Sequence, residues 1–199
     1  MDSATSNLDG PVDRAGIAAE LERARADLHA LLATASPAQL RAGSEGTRWT
    51  NEQLLFHMVF GFLVVRRLVP LVRFVSLLPE PVGRGFAHLL NAGQRPFHLI
   101  NYLGSCGATL VFNHRRMGGL CDRTIAALTL RLHTEHERTL ARGMPFLTSW
   151  DPYFSDVMTL AEVYAYPVQH YDHHRGQLTL PIQGVRWTPG RVRRAPGHP

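Results

Sequence analysis

The residues in this 199-residue chain whose types and spacing could do chemistry are histidines. His170-Tyr-Asp-His-His174 places two imidazoles at i and i+4. On a helix such positions lie about 40° apart around the axis and about 6 Å along it, so both rings can reach one cation, at ~2.0–2.1 Å for zinc. The same spacing serves the H-E-x-x-H metallopeptidases, whose glutamate is the general base; here Tyr171 stands in that place and the base is missing. His173 lies on another side of the helix. With 11 histidines in the chain some spacings arise by coincidence, and a half-exposed pair with no ion is the alternative reading. His57 adds a third imidazole, on the apolar face of a different helix. Taken alone, such a histidine more often just hydrogen-bonds a neighbour in the core. Taken together, three histidines from two helices leave at least one coordination position open, the mark of a catalytic rather than a closed structural metal site. Zinc is the default ion, with nickel, iron and manganese open because imidazole suits several metals.

The elements that would position these rings follow from periodicity and capping. From Val12, Ile17, Leu21, Ala24, Leu28, Leu31 and Leu32 fall three or four apart, which predicts a first helix. Ser36-Pro37 and the polar run at 41–47 read as the loop that ends it. Thr50-Asn-Glu-Gln53 has the form of a capping box and opens a second helix with Leu54, His57, Met58, Gly61 and Val65 on one face. A kink or stop is expected near Pro70. Residues 76–116, punctuated by proline and glycine, read as an insertion of short helices and loops. They are too apolar for a linker and suit a cover over the bundle or a homodimer contact.

A third long helix is expected from about Gly118 to Ala141, with Gly143 as its stop, and 144–156 as an aromatic connection. Thr159-Leu-Ala-Glu162, a second capping-box pattern, opens the last helix. That helix carries Val163, Pro167, His170, His174 and Leu178 before Pro181. Pro167 leaves the Val163 carbonyl without its usual donor, which either bends the helix or marks an imperfect start. No convincing alternating strand occurs. The fold class expected is therefore all-α, an antiparallel four-helix bundle over residues 12–182, flanked by a disordered leader (1–11) and a disordered Arg/Pro/Gly-rich tail (183–199).

Composition narrows the function. The formal net charge is +5 and all 21 basic residues are arginine. A chain without lysine cannot use Schiff-base chemistry or a Walker phosphate loop. Codon bias accounts for the arginines, which are scattered, so no nucleic-acid partner is expected; a small-molecule substrate is. Two cysteines, Cys106 and Cys121, do not make a disulfide framework, and the N-terminal residues do not read as a signal peptide, so a cytoplasmic location is expected. The apolar stretch 54–78 contains Arg66, Arg67 and Arg73, which argues against a transmembrane segment.

The stretches TRWTNEQLLFH (Thr47–His57) and HYDHHRGQL (His170–Leu178) resemble, respectively, the start of the second helix and the last-helix signature of the DinB-like superfamily. The resemblance covers roughly residues 12–75 and 117–182; the 76–116 insertion departs from the compact family pattern. It implies a four-helix bundle with a three-histidine metal site, and matches His57, His170 and His174 to the three ligands. Members with assigned activities include transferases and isomerases that use low-molecular-weight thiols such as mycothiol or bacillithiol. The resemblance therefore implies a divalent-metal-dependent enzyme, a thiol S-transferase or hydrolase, that attacks with metal-activated thiol or water. The alternative is a non-catalytic, metal-stabilised bundle serving as a binding or interaction module. Arg175 and Tyr171 are the candidates for substrate contact, with Arg175 suited to a carboxylate. Asp172 is the candidate for orienting an imidazole from behind, as carboxylates commonly do. His136 is a possible supplementary ligand, and solvated histidines at 133 and 136 are the simpler reading.

Overall fold

The first helix opens on a cap in which the Asp13 side chain accepts the Gly16 N–H at 2.7 Å. The computed structural model describes residues 12–79, 81–85, 94–146 and 153–180, and only the backbone of 94–100. The expected leader (1–11) and tail (183–199) lie outside the described residues. Helix α1 (Arg14–Thr34) buries Leu21, Ala24, Leu28 and Leu31, the stripe its periodicity marks out. A short helix α2 (Pro37–Arg41) follows where a loop is expected from the sequence. The reason is local: Ser36 and Gln39 form a reciprocal capping box, with Pro37 preset for a first helical turn.

Helix α3 (Asn51–Val75) opens on the Thr50/Gln53 capping box. It runs through Pro70 rather than stopping there. Pro70 is exposed, so the carbonyl it leaves without a donor, that of Arg66, lies on the side that water can reach. By length and composition α3 could cross a membrane, yet more than half of its most apolar window is buried inside the protein. Helix α4 (Gln94–Ala108) belongs to the 76–116 insertion and packs against α3.

Helix α5 (His114–Thr134) is capped by Asn113. The single helix expected over 118–141 is two: the chain turns extended at Glu135 and resumes as α6 (Glu137–Leu140). Glu135 is buried and its carboxylate meets Arg73 of α3 at 3.3 Å, a long-range pairing that periodicity does not report. Strand β1 (Gly143–Pro145) pairs antiparallel with β2 (Val157–Thr159), Met144 opposite Met158, where no strand is expected from the sequence. A Cβ on Gly143 would stand 2.9 Å from Val157 Cγ1, so a larger residue there would force Val157 to shift. Helix α7 (Leu160–Arg175) starts on the Thr159/Glu162 capping box and contains Pro167 without interruption.

The four long helices close a ring in which α3 packs on α7, α7 on α1, α1 on α5 and α5 on α3. This is an all-α fold whose one addition, among the described residues, is the β1–β2 ladder. Its core is one cluster, with Leu21, Leu28, Leu54, Met58, Phe62, Met117, Leu128 and Tyr164 among the fully buried side chains.

One polar residue ties this ring together at the end that carries the histidines. Asn51 is fully buried; its Nδ2 donates to the Gln39 carbonyl and to Thr179 Oγ1, both at 2.8 Å, and its Oδ1 accepts from the Thr179 N–H at 3.1 Å. It thereby joins α2, the start of α3 and the chain leaving α7. Replacing Asn51 by alanine strands these partners, and urea unfolding is expected to show a loss of about 3 kcal/mol. A loss under about 0.5 kcal/mol would mean that water replaces the knot without cost.

Candidate metal centre

The Thr50 cap fixes where α3 begins, and His57 follows within two turns on the buried side, only 4% exposed. Trp49, just before the cap, stacks on the His57 ring with centroids 4.4 Å apart. From α7, His170 and His174 converge on the same point, with centroids 4.9 and 4.6 Å from that of His57 and 4.5 Å from each other. One nitrogen from each of the three rings lies within 4.8 Å of the other two. His57 Nε2 and His174 Nε2 are 3.1 Å apart. Two nitrogens bound to one ion at ~2.0–2.1 Å would be roughly 2.9–3.4 Å apart for octahedral to tetrahedral angles, so this pair already has the spacing of shared ligation.

The protonation state fits as well. His174 Nδ1 is 2.7 Å from Gln177 Oε1. An amide oxygen only accepts, so Nδ1 carries the proton and Nε2 keeps its lone pair. Burial pushes the His57 pKa down to about 2, helped by the nearby His170 and His174 and opposed by the Asn101 side chain. His57 is therefore a neutral imidazole at ordinary pH, the form that ligates a metal.

Gly61 makes room for the third ring. It sits one turn after His57 on α3, and a Cβ there would stand 2.8 Å from His170 Cδ2. The donor set, the bare nitrogens and this cradle all fit a divalent ion. The three-histidine group could hold one, and His57, His170 and His174 are the residues that would do so.

The other residues singled out in the sequence go elsewhere. Tyr171 and Arg175, the candidates for substrate contact, are both buried and both spent on Asp27 of α1. Tyr171 donates its hydroxyl to Asp27 Oδ2 at 2.7 Å, and Arg175 Nε donates to the same oxygen at 2.8 Å. Burial and the Asp27 charge hold the Tyr171 phenol well above its ordinary pKa, so it stays protonated as a donor. Adjacent helical residues point about 100° apart, so the stripe 171/175 addresses α1 while the stripe 170/174 addresses α3. Asp172, the candidate for orienting an imidazole, accepts at its Oδ2 from the Arg23 guanidinium of α1 at 2.7 Å. Gln177 takes that orienting position on His174 instead. His173 is exposed and meets the Tyr153 hydroxyl, and His136 is exposed at the head of α6. Neither His133 nor His136 joins the cluster.

Sequence reasoning missed Asp27, Gln177 and the spacing role of Gly61. A signal existed for two of them: Gln177 lies three residues after a ligand, and Gly61 is a glycine on the buried face one turn beyond His57.

Fold and site together define an all-α protein with a three-histidine centre between two helices of a four-helix ring. A family model for the DinB superfamily matches residues 20–178, a span that contains all three histidines, and the chain belongs to that superfamily. No curated protein and no solved structure matches it.

Two outcomes test this geometry. Asp27→Ala leaves Arg175 buried without its counter-charge, and thermal or urea unfolding is expected to show a loss of about 3–5 kcal/mol. In Gly61→Ala the helix gains about 1 kcal/mol of intrinsic propensity, but the added methyl displaces His170. Zinc titration is expected to show at least a roughly tenfold weaker affinity, as for losses around other metal centres; unchanged affinity would take His170 out of the ligand set.

Proposed function

We propose that this chain is a metal-dependent enzyme of the DinB superfamily, a thiol S-transferase or hydrolase acting on a small molecule. His57, His170 and His174 would hold one divalent ion, zinc in the first instance, with a low-molecular-weight thiol as the co-substrate of the transferase. A divalent ion on three imidazoles supplies a Lewis acid with an open position, able to lower the pKa of bound water to ~7 or to keep a thiol deprotonated.

The observation that carries the reading is the convergence of three imidazoles from α3 and α7, with two Nε2 atoms 3.1 Å apart. The chain's own residues divide the work. His57, buried under Trp49, anchors the inner side of the site, and Gln177 keeps the His174 lone pair turned inward. His170 and His174 are only half-buried, so a reactant reaches the centre from the α7 side. Tyr171, at the position of the zincin glutamate, is committed to Asp27, so that route to a general base is closed. This favours a nucleophile that arrives as a thiol over one generated by a neighbouring carboxylate.

Elemental mass spectrometry tests the reading first, on protein purified without affinity histidines. About one equivalent of metal is expected in the wild type, none in His170→Ala/His174→Ala, and turnover of thiol conjugates only in the loaded form. Absence of metal from the wild type after reconstitution would sink the proposal. A loaded protein with no turnover, whose melting temperature falls on chelation, would instead support a bundle that the ion merely cross-links.

A further inference from the structure

The wall of this centre includes helix α4. Helix α4 lies against α3, and Tyr102 stacks on Trp49 with centroids 6.0 Å apart, while Trp49 stacks on His57 at 4.4 Å. Residues 101–102 are thus brought near the His57 ring. His57 Nδ1 and Asn101 Oδ1 are both shut off from solvent, and neither has a hydrogen-bond partner among the described residues. An imidazole nitrogen and an amide oxygen left buried and unmatched are costly, and each is the complement of the other. The Asn101 side chain lies close enough to the His57 ring to interact with it.

We infer that Asn101 is a positioning residue of the metal centre: with an ion on the three imidazoles, its Oδ1 accepts the Nδ1–H of His57 and so holds Nε2 toward His170 and His174. The inference rests on the metal-site reading above. Gln177 does the same for His174 from the end of α7, so two of the three imidazoles are steered by side-chain amides rather than carboxylates. An amide leaves the imidazole neutral and adds no charge behind the ring, so the ion keeps its full Lewis acidity. The contribution of α4 is thereby specific: it supplies an acceptor to a ligand as well as a cover.

The test uses the full chain and zinc alone, followed by competition with a chelating indicator and by NMR of the His57 ring. In zinc-loaded wild type, the Nδ1 proton of His57 is expected as a downfield, slowly exchanging signal with a cross-peak to Asn101. Asn101→Leu, which keeps the bulk and removes the acceptor, is expected to abolish that protection and weaken zinc binding by about 10–100-fold. Asn101→Asp restores the acceptor and is expected to recover both the protected proton and the affinity, which a merely space-filling role would not. Unchanged affinity in Asn101→Leu, equal weakness in Asn101→Asp, or an unprotected Nδ1 proton in the wild type overturns the role of Asn101 while leaving the three-histidine site standing. A wild type that takes up no zinc overturns the site and this inference with it.

Discussion

The paired acceptance by Asp27 of the Tyr171 hydroxyl and the Arg175 guanidinium is the constraint on which the site depends. It joins the middle of α1 to the last turn of α7, in a setting where all three side chains are nearly excluded from water. A buried carboxylate and guanidinium with their hydrogen bonds matched tolerate very little rotation, because any slip leaves a charge uncompensated. Since Tyr171 and Arg175 each follow a ligand histidine directly, fixing their direction also fixes that of His170 and His174. The Arg23–Asp172 bridge acts in the same sense from the same helix pair. The side chains best suited by type to bind a substrate are thus occupied in aiming the histidines of the candidate centre.

The two helices that carry the three histidines contribute in different ways. Helix α3 offers one histidine held by stacking and by burial, in a segment apolar enough that the imidazole remains neutral. Helix α7 offers two histidines with partial access to solvent, from a helix less apolar than α3. A rigid inner histidine and a wetter outer pair make a centre that is anchored on one side and approachable on the other. Aromatic contacts continue outward from the pair, His170 to Tyr166 and Tyr166 to Phe154, so the approach on that flank has an apolar rim.

What was legible in the sequence was local or periodic. The Thr50/Gln53 and Thr159/Glu162 capping boxes both form, because each needs only four consecutive residues. The Ser36/Gln39 box obeys the same rule inside a stretch that reads as loop, and it makes α2. The three histidines were visible through spacing and an apolar setting, and the structure brings them together. The rest depends on partners far along the chain. Glu135 breaks the third long helix beside Arg73, β1 needs β2, and Tyr171 and Arg175 turn to an aspartate more than a hundred residues away. Residue type told what those side chains can bind; only the fold tells what they do bind.

The Asn51 knot has a topological consequence for the metal centre. His57 and His174 are separated by 117 residues, and bringing such distant points together costs chain entropy that a weakly populated site could not readily recover from a dilute ion. Asn51 lies less than two turns before His57, and its partner Thr179 follows closely after His174. Once that knot is tied, the remaining path from one imidazole to the other is a short cycle of two helix ends and a side-chain bridge. An ion bound there would meet the three imidazoles at high effective concentration, as a chelator would present them, with the cost of gathering them carried by protein folding instead of by metal binding.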